Sequence, residues 1–192
     1  MFIRHGLTFC TSLLANESVT PSLSILEIGF GTGLNAFLTL LKAQELGVDI
    51  IYTGVEAYPV SQEELRQLDY AQLINPNHRS DFELMHSCEW EKFNAINSRF
   101  SIHKQQKFFH DIDNVDEFNL IYFDAFGARV QPELWEEDIF DKMYTALKNN
   151  GILVTYSAKG SVRRAMEAVG FDVERLPGPP GKREMLRARK VL

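Results

Sequence analysis

Glu27-Ile28-Gly29-Phe30-Gly31-Thr32-Gly33 ends an apolar run, Ser24 to Ile28, and leads into a helical pattern beginning at Leu34. Glycines at such a strand-to-helix turn let the backbone reverse tightly and approach a ligand without a Cβ in the way. The helix that follows aims its first N–H groups at the same place. The spacing here is G-x-G-x-G, with an acid two residues before the first glycine. A dinucleotide pyrophosphate needs the longer G-x-G-x-x-G turn, so this spacing favours S-adenosylmethionine (SAM). Glu27, Gly29, Gly31 and Gly33 are therefore expected at the cofactor.

On either side of this turn, short β-branched and aromatic runs alternate with helical patterns, which predicts a parallel sheet covered by helices. The helix from Leu34 to Leu46 carries Leu34, Phe37, Leu38, Leu41 and Glu45 at helical spacing. A strand over Ile50 to Glu56 follows, and Ser61 to Glu64 reads as a capping box opening a helix through Leu68. Tyr70 to Asn97 reads as helices with loops, and Phe100 to Gln105 alternates like a strand. Asn119 to Asp124 is a compact buried strand. Glu133 to Lys148 is an amphipathic helix, with Asn149-Asn150-Gly151 placed as its C-cap. Ile152 to Ser157 is a strand and Ser161 to Ala168 a short helix. Phe171 to Leu176 and Glu184 to Lys190 flank Pro177-Gly178-Pro179-Pro180-Gly181, too close for a helical crossover, so they should pair antiparallel. The expected fold is α/β, with a seven-stranded, mostly parallel sheet closed by a C-terminal antiparallel hairpin. That is the Rossmann-like plan of a class I SAM-dependent methyltransferase.

The chain has 192 residues, 45% apolar and 24% charged, which suits one globular domain spanning residues 1–192. Two cysteines, Cys10 and Cys88, cannot make a disulfide scaffold or a Cys-ligated metal site, so no metal is expected. No apolar run reaches the length of a membrane span, and three hydroxyls dilute the first fifteen residues too much for a signal peptide. A soluble, cytoplasmic protein is expected. Charge is uneven: residues 159–192 hold nine Lys/Arg against four Asp/Glu, a local net of +5, within a chain of net −6. This surplus is either a solvated tail or a basic face for a polyanion such as RNA.

Four further places carry chemistry. Glu56, ending the second strand, can accept hydrogen bonds from both ribose hydroxyls of a nucleoside cofactor. Asp111 is placed to accept from an adenine amino group. Asp124, at the carboxyl edge of its strand, can hold an amine. With reference pKa values of ~3.9 for Asp and ~10.4 for an alkylamine, deprotonating the ammonium would be uphill by roughly 9 kcal/mol. Asp124 is therefore expected to orient the amine lone pair rather than to take its proton. His110 and Tyr156 are alternatives for the proton. Phe126 and Trp135 are expected either to stack on a base or to fill the core. Arg163, Arg164, Lys182 and Arg183 are basic pairs suited to phosphates or to solvent.

Glu27-Ile-Gly-Phe-Gly-Thr-Gly-Leu-Asn35, Tyr122-Phe-Asp-Ala-Phe126, Gln131-Pro-Glu-Leu-Trp135, Val162-Arg-Arg164, Gly170-Phe171 and Leu176-Pro-Gly-Pro-Pro-Gly-Lys-Arg-Glu-Met185 resemble one family read in order. It is the methyltransferase domain of the bacterial enzyme that completes methylaminomethyl-thiouridine at the tRNA wobble position. The resemblance runs from about Phe2 to the C-terminus. It implies SAM as donor, the wobble uridine aminomethyl group of a tRNA anticodon stem-loop as acceptor, and a separate flavin-dependent oxidase acting on the same nucleotide. Gly29, Gly31, Gly33, Glu56 and Asp111 match the family's cofactor positions, and Asp124 its catalytic-site carboxylate. The family usually carries a further stretch before Phe2, so an N-terminal segment is expected to be missing. It also commonly has Ala-Pro with a nearby Lys after Phe126, where this chain has Gly127-Ala128-Arg129. Two other readings compete: an aminopropyltransferase of the polyamine-synthase type, and an inactive SAM- or RNA-binding subunit.

Overall fold

The computed structural model describes residues 2–14, 22–127, 129–178 and 180–191. Eight strands make one sheet: β1 (Ser22–Ile28), β2 (Asp49–Val55), β3 (Phe93–Asn97), β4 (Phe100–Gln105), β5 (Phe118–Phe123), β6 (Leu147–Thr155), β7 (Phe171–Pro177) and β8 (Glu184–Lys190). Their order is β3-β4-β2-β1-β5-β6-β8-β7. β4, β2, β1, β5 and β6 run parallel, and β8 inserts antiparallel between β6 and β7. The five parallel strands and the closing hairpin are those the sequence predicts.

Period-two alternation divides the core into two layers. Along β1, Leu23 and Ile25 face one side while Leu26 and Ile28 face the other. The first side is covered by α1 (Thr8–Leu14, continuing a π-helical stretch from Ile3), α2 (Leu34–Leu46), α4 (Tyr70–Ile74) and α5 (Arg79–Ser87). Between α2 and α4 lies the one-turn α3 (Gln62–Leu65), which buries no residue. The opposite side is covered by α6 (Glu137–Ala146) and α7 (Gly160–Ala168). Among the described residues, no helix is long and apolar enough to cross a membrane.

The structure departs from the sequence reading in four places. An eighth strand, β3, pairs antiparallel with β4 at the sheet edge, inside the stretch read as helices with loops. It is bulged between Ala95 and Asn97 and half exposed, so it lacks the alternation that marks a buried strand. The capping box at Ser61 is present, but its helix stops at Leu65 because none of its side chains is buried. The α2 face that is fully buried is Ala36, Phe37, Thr39, Leu40 and Ala43; of the other expected leucines, Leu41 packs partly buried against the same core, and Leu34 and Leu38 lie off that face. Small alanines let the helix lie close to the sheet, and the Thr39 hydroxyl is satisfied by donating to the Asn35 carbonyl at 2.7 Å. Finally, α6 ends at Ala146, and Asn149-Asn150-Gly151 belongs to β6. Asn150 does take a left-handed φ of 64°, but it bulges the strand instead of capping a helix. The β5–β6 register jumps there from Phe118↔Leu147 to Leu120↔Ile152.

One glycine on β2 holds the first loop down. The buried Phe30 ring folds back over Gly54, where an added Cβ would lie 2.5 Å from the ring's Cδ2. Gly54→Ala is expected to lower unfolding free energy by about 1–3 kcal/mol through overpacking. Urea denaturation measures this, and an unchanged midpoint would mean that Phe30 can vacate the site freely.

Candidate active site

The carboxyl ends of β1, β2, β5 and β6 open into a cavity of about 810 Å³, where ligands bind in open α/β sheets. The loop after β1 forms one wall. Gly29, Gly31 and Gly33 all have positive φ, at 85°, 51° and 69°. At Gly29 the demand is also steric, since a Cβ would sit 2.9 Å from the Asp124 carbonyl oxygen. The loop is tied to β2, because the Gly29 and Phe30 amides both donate to the Val55 carbonyl at 3.0 and 3.1 Å. Glu56 follows at once. Its Oε2 accepts from the Gly31 amide and its Oε1 from the Tyr58 amide, each at 3.0 Å. Two backbone donors thus fix a carboxylate on the cavity wall, with lone pairs left for a vicinal diol.

Behind the loop, Glu27 is fully buried and does not line the cavity. The Tyr52 hydroxyl donates to its Oε2 at 2.8 Å, and the Asn35 amide donates to its Oε1 at 2.8 Å. Expected at the cofactor, Glu27 instead stands behind Asn35 with both oxygens taken. Burial pushes its carboxyl up to about 8, more than the two hydrogen bonds offset. The same Asn35 amide nitrogen donates to Asp124 Oδ2 at 2.9 Å. Asp124 opens onto the cavity, yet its partial desolvation raises its pKa, against the Asn35 bond and the nearby Lys182 charge, which lower it.

The other expected residues divide. His110 lines the cavity, stacked on Phe108 with ring centroids 5.4 Å apart. Asp111, one residue on, is half exposed, lies 3.3 Å from His110 Nε2, and is not among the lining residues. Tyr156, just past the end of β6, also lines the cavity, and burial raises its pKa. Phe126 is 69% exposed at the rim, whereas Trp135 is core, packed on Phe123 and Phe140 and donating from Nε1 to the Phe126 carbonyl. Lys182 reaches the site, its Nζ 5.3 Å from the Tyr156 ring centroid. Arg183 is exposed on the same turn, Arg164 is exposed on α7, and Arg163 pairs with Glu167 at 2.7 Å. Of the Gly127-Ala128-Arg129 stretch, Ala128 lies outside the described residues. Sequence reasoning assigned no role to Asn35, Tyr58 or Phe108. The signal for Asn35 is a polar side chain in the first turn of an otherwise apolar helix. Tyr58 and Phe108 are aromatics just past strand ends, and they meet at the rim with centroids 6.0 Å apart.

The backbone cradle, the fixed acid on β2 and the aromatic rim suit a nucleoside cofactor such as SAM, and the volume suits a small-molecule site. A family model described as S-adenosyl-L-methionine-dependent methyltransferase matches residues 68–191. The chain is similar to the tRNA 5-methylaminomethyl-2-thiouridine biosynthesis bifunctional protein MnmC of Campylobacter fetus, 30% identical over 186 residues. That alignment covers 92% of this chain and 30% of the relative. The protein of the same description from Actinobacillus pleuropneumoniae is 28% identical over 88% of this chain and 27% of its own length. The chain thus spans less than a third of these curated relatives. Among solved structures, MnmC2 from Aquifex aeolicus superposes with a TM-score of 0.69 at 22% identity, covering 98% of this chain and 58% of that one.

Burying Glu27 sets a pH dependence whose sign is fixed. Its pKa rises from 4.5, the value of a solvated glutamate, to about 8 in the folded chain. Between those values the unfolded chain has released the proton and the folded chain keeps it, so stability falls as pH rises. His86 works in the opposite sense below its ordinary range, because burial lowers its pKa to about 4 and stability is lost as pH falls. Comparing wild type with Glu27→Gln isolates the carboxyl, since glutamine can accept from Asn35 and donate to Tyr52. The variant is expected to match wild type near pH 5 and exceed it at pH 8 by about 3 kcal/mol. Urea midpoints at both pH values measure it, and a constant difference would sink the assignment.

Proposed function

Because the chain belongs to the S-adenosyl-L-methionine-dependent methyltransferase family matched over residues 68–191, we propose that it methylates the aminomethyl nitrogen of the wobble uridine in a tRNA anticodon stem-loop. In this reading residues 1–192 act as one cytoplasmic methyltransferase domain, on a nucleotide that a separate flavin-dependent oxidase also processes. The observation that carries it is one cavity holding two differently built acids. Glu56 is fixed by backbone donors beside the glycine loop, and Asp124 faces the space across it. The descriptions of the relatives, which name tRNA 5-methylaminomethyl-2-thiouridine biosynthesis, supply the acceptor class.

The residues that would hold SAM are Gly29, Gly31 and Gly33 through backbone approach, Glu56 at the ribose, and the Tyr58–Phe108 rim around the base. When bound, SAM supplies a methyl group already activated by its sulfonium. Asp124 accepts a hydrogen bond from the acceptor amine and turns its lone pair toward that methyl group, an effect of orientation. The raised Asp124 pKa narrows the proton-affinity gap to an alkylamine. The proton leaves to water or to His110; Tyr156, a neutral phenol whose pKa burial raises further, is no base for it. Phe126, exposed at the rim, offers a face for the uridine to stack on. Arg163, Arg164, Lys182 and Arg183 meet the phosphates.

The deciding experiment transfers labelled methyl from SAM to tRNA that lacks the final modification, followed by nucleoside analysis. Label in methylaminomethyl-thiouridine is the expected result. Label elsewhere on the RNA, or turnover of putrescine with decarboxylated SAM in a parallel arm, would overturn the acceptor assignment. Two variants separate the acids. Glu56→Ala should weaken SAM binding by about 10–100-fold in calorimetry, the cost of a charged hydrogen-bonding partner. Asp124→Ala should bind SAM nearly as wild type does and turn over about 100-fold or more slowly. Equal loss of SAM affinity in both would refute the division of labour.

A further inference from the structure

We propose that Asn35 is a positioning residue that locks the orientation of Asp124, transmitting to the cavity an anchor set deep in the sheet. The inference rests on the reading of Asp124 as the acceptor-facing acid. One amide nitrogen bridges two carboxyl groups: Asn35 Nδ2 lies 2.8 Å from Glu27 Oε1 and 2.9 Å from Asp124 Oδ2. An amide nitrogen has two protons, and both are used. The alternative flip would set the amide oxygen against the Asp124 carboxylate, which has no proton to offer it, so the environment fixes the orientation.

The bridge is held from behind. Glu27 is buried in the layer beneath α2 and is itself gripped by the Tyr52 hydroxyl at 2.8 Å. Asn35 cannot rotate without abandoning a buried carboxyl oxygen, which is costly to leave unpartnered. The backbone under it is tied down as well, since the Thr39 hydroxyl donates to its carbonyl. Tyr52, Glu27, Asn35 and Asp124 thus form a continuous hydrogen-bonded line from β2 through β1 and α2 to the end of β5. At the open end of that line, Asp124 Oδ2 is occupied and Oδ1 remains for the acceptor amine. The remaining acceptor of the Asn35 side chain, Oδ1, belongs to a residue that lines the same cavity.

The charged and titratable neighbours of Asp124 set what happens without the bridge. Glu27 stands behind it, Tyr156 is beside it, and Lys182 is near enough to lower its pKa. With the amide removed, Lys182 is the remaining cation toward which Asp124 can turn, and that orientation spends the carboxylate on the hairpin rather than on the amine.

The test uses ligand-free protein carrying carboxyl-labelled aspartate, with the Asp124 resonance assigned by its disappearance in Asp124→Asn. Titration by ¹³C NMR is then compared between wild type and Asn35→Ala. Loss of the bridge should raise the Asp124 pKa by about half a unit or more, because a donor to the charged form is gone. Asn35→Ser, too short to span both carboxyl groups, replaces the alanine variant if the latter fails to fold. With SAM and the acceptor tRNA, kcat should fall about tenfold or more while the SAM KM changes less than threefold. An unmoved Asp124 titration overturns the proposal, and so does a moved titration with unchanged kcat. If wild type methylates no tRNA, the function reading fails separately, and the titration still decides the bridge.

Discussion

A carboxyl group buried at the centre of a sheet is the constraint around which this molecule is arranged. Glu27 lies on the central strand with neighbours on both sides, in a place where an isolated charge would be untenable. It is tolerated because β2 supplies a phenol and α2 supplies an amide, one for each oxygen. Those demands fix local structure beyond the contact itself. Tyr52 must face the α2 layer, which sets the pleat of β2 against β1, and the first turn of α2 must arrive directly above Glu27. The glycine loop is what allows that arrival. Three left-handed residues in five positions bring the chain off β1 and into the helix within the span of a single turn.

The same geometry gives two acids with similar sequence surroundings different environments. Glu56 receives two backbone N–H bonds and sits at the rim, an environment that fixes its direction. Asp124 receives one side-chain bond and is partly desolvated, an environment that holds it but lifts its proton affinity. A rigid acid suits a diol whose position never changes during the reaction. An acid with higher proton affinity suits an amine that arrives, reacts and leaves.

The parallel strands and the hairpin were legible because buried strands are continuous apolar runs and because Pro177 to Gly181 leaves no room for a crossover. The glycine loop, Glu56 and Asp124 were legible for a related reason: topology alone puts the carboxyl ends of parallel strands together. What the sequence hid depends on contacts. Glu27 reads as an acid next to a glycine motif, and nothing local says that its side chain points under the loop rather than over it. Asn150 and Gly151 carry the residue types of a helix cap, and the left-handed backbone is there, but the sheet absorbs it as a bulge. β3 is a bulged, half-exposed edge, stabilised by its one neighbour rather than by its own pattern.

The basic C-terminal segment shows how a composition signal changes once partners are known. Several of its nine cations are structural. Arg187 is 11% exposed, donates to Glu174 and the His5 carbonyl, and lies over the Phe9 ring. Lys190 is 13% exposed and donates to Asp116 and the Leu147 carbonyl. Arg175 pairs with Glu184 across the hairpin, and Arg189 donates to Asn150. Arg163 is paired too, but an exposed helix pair is worth well under about 1 kcal/mol and exchanges readily for a phosphate. Together with Lys159, Arg164, Lys182 and Arg183, it leaves five cations available to an anion. Their positions follow from register. Thr155 at the end of β6 pairs with Leu186 near the start of β8, so the hairpin turn and the start of α7 lie at the cavity end of the sheet. Five of the nine cations are therefore open to an anion, and they are gathered where the two acids open.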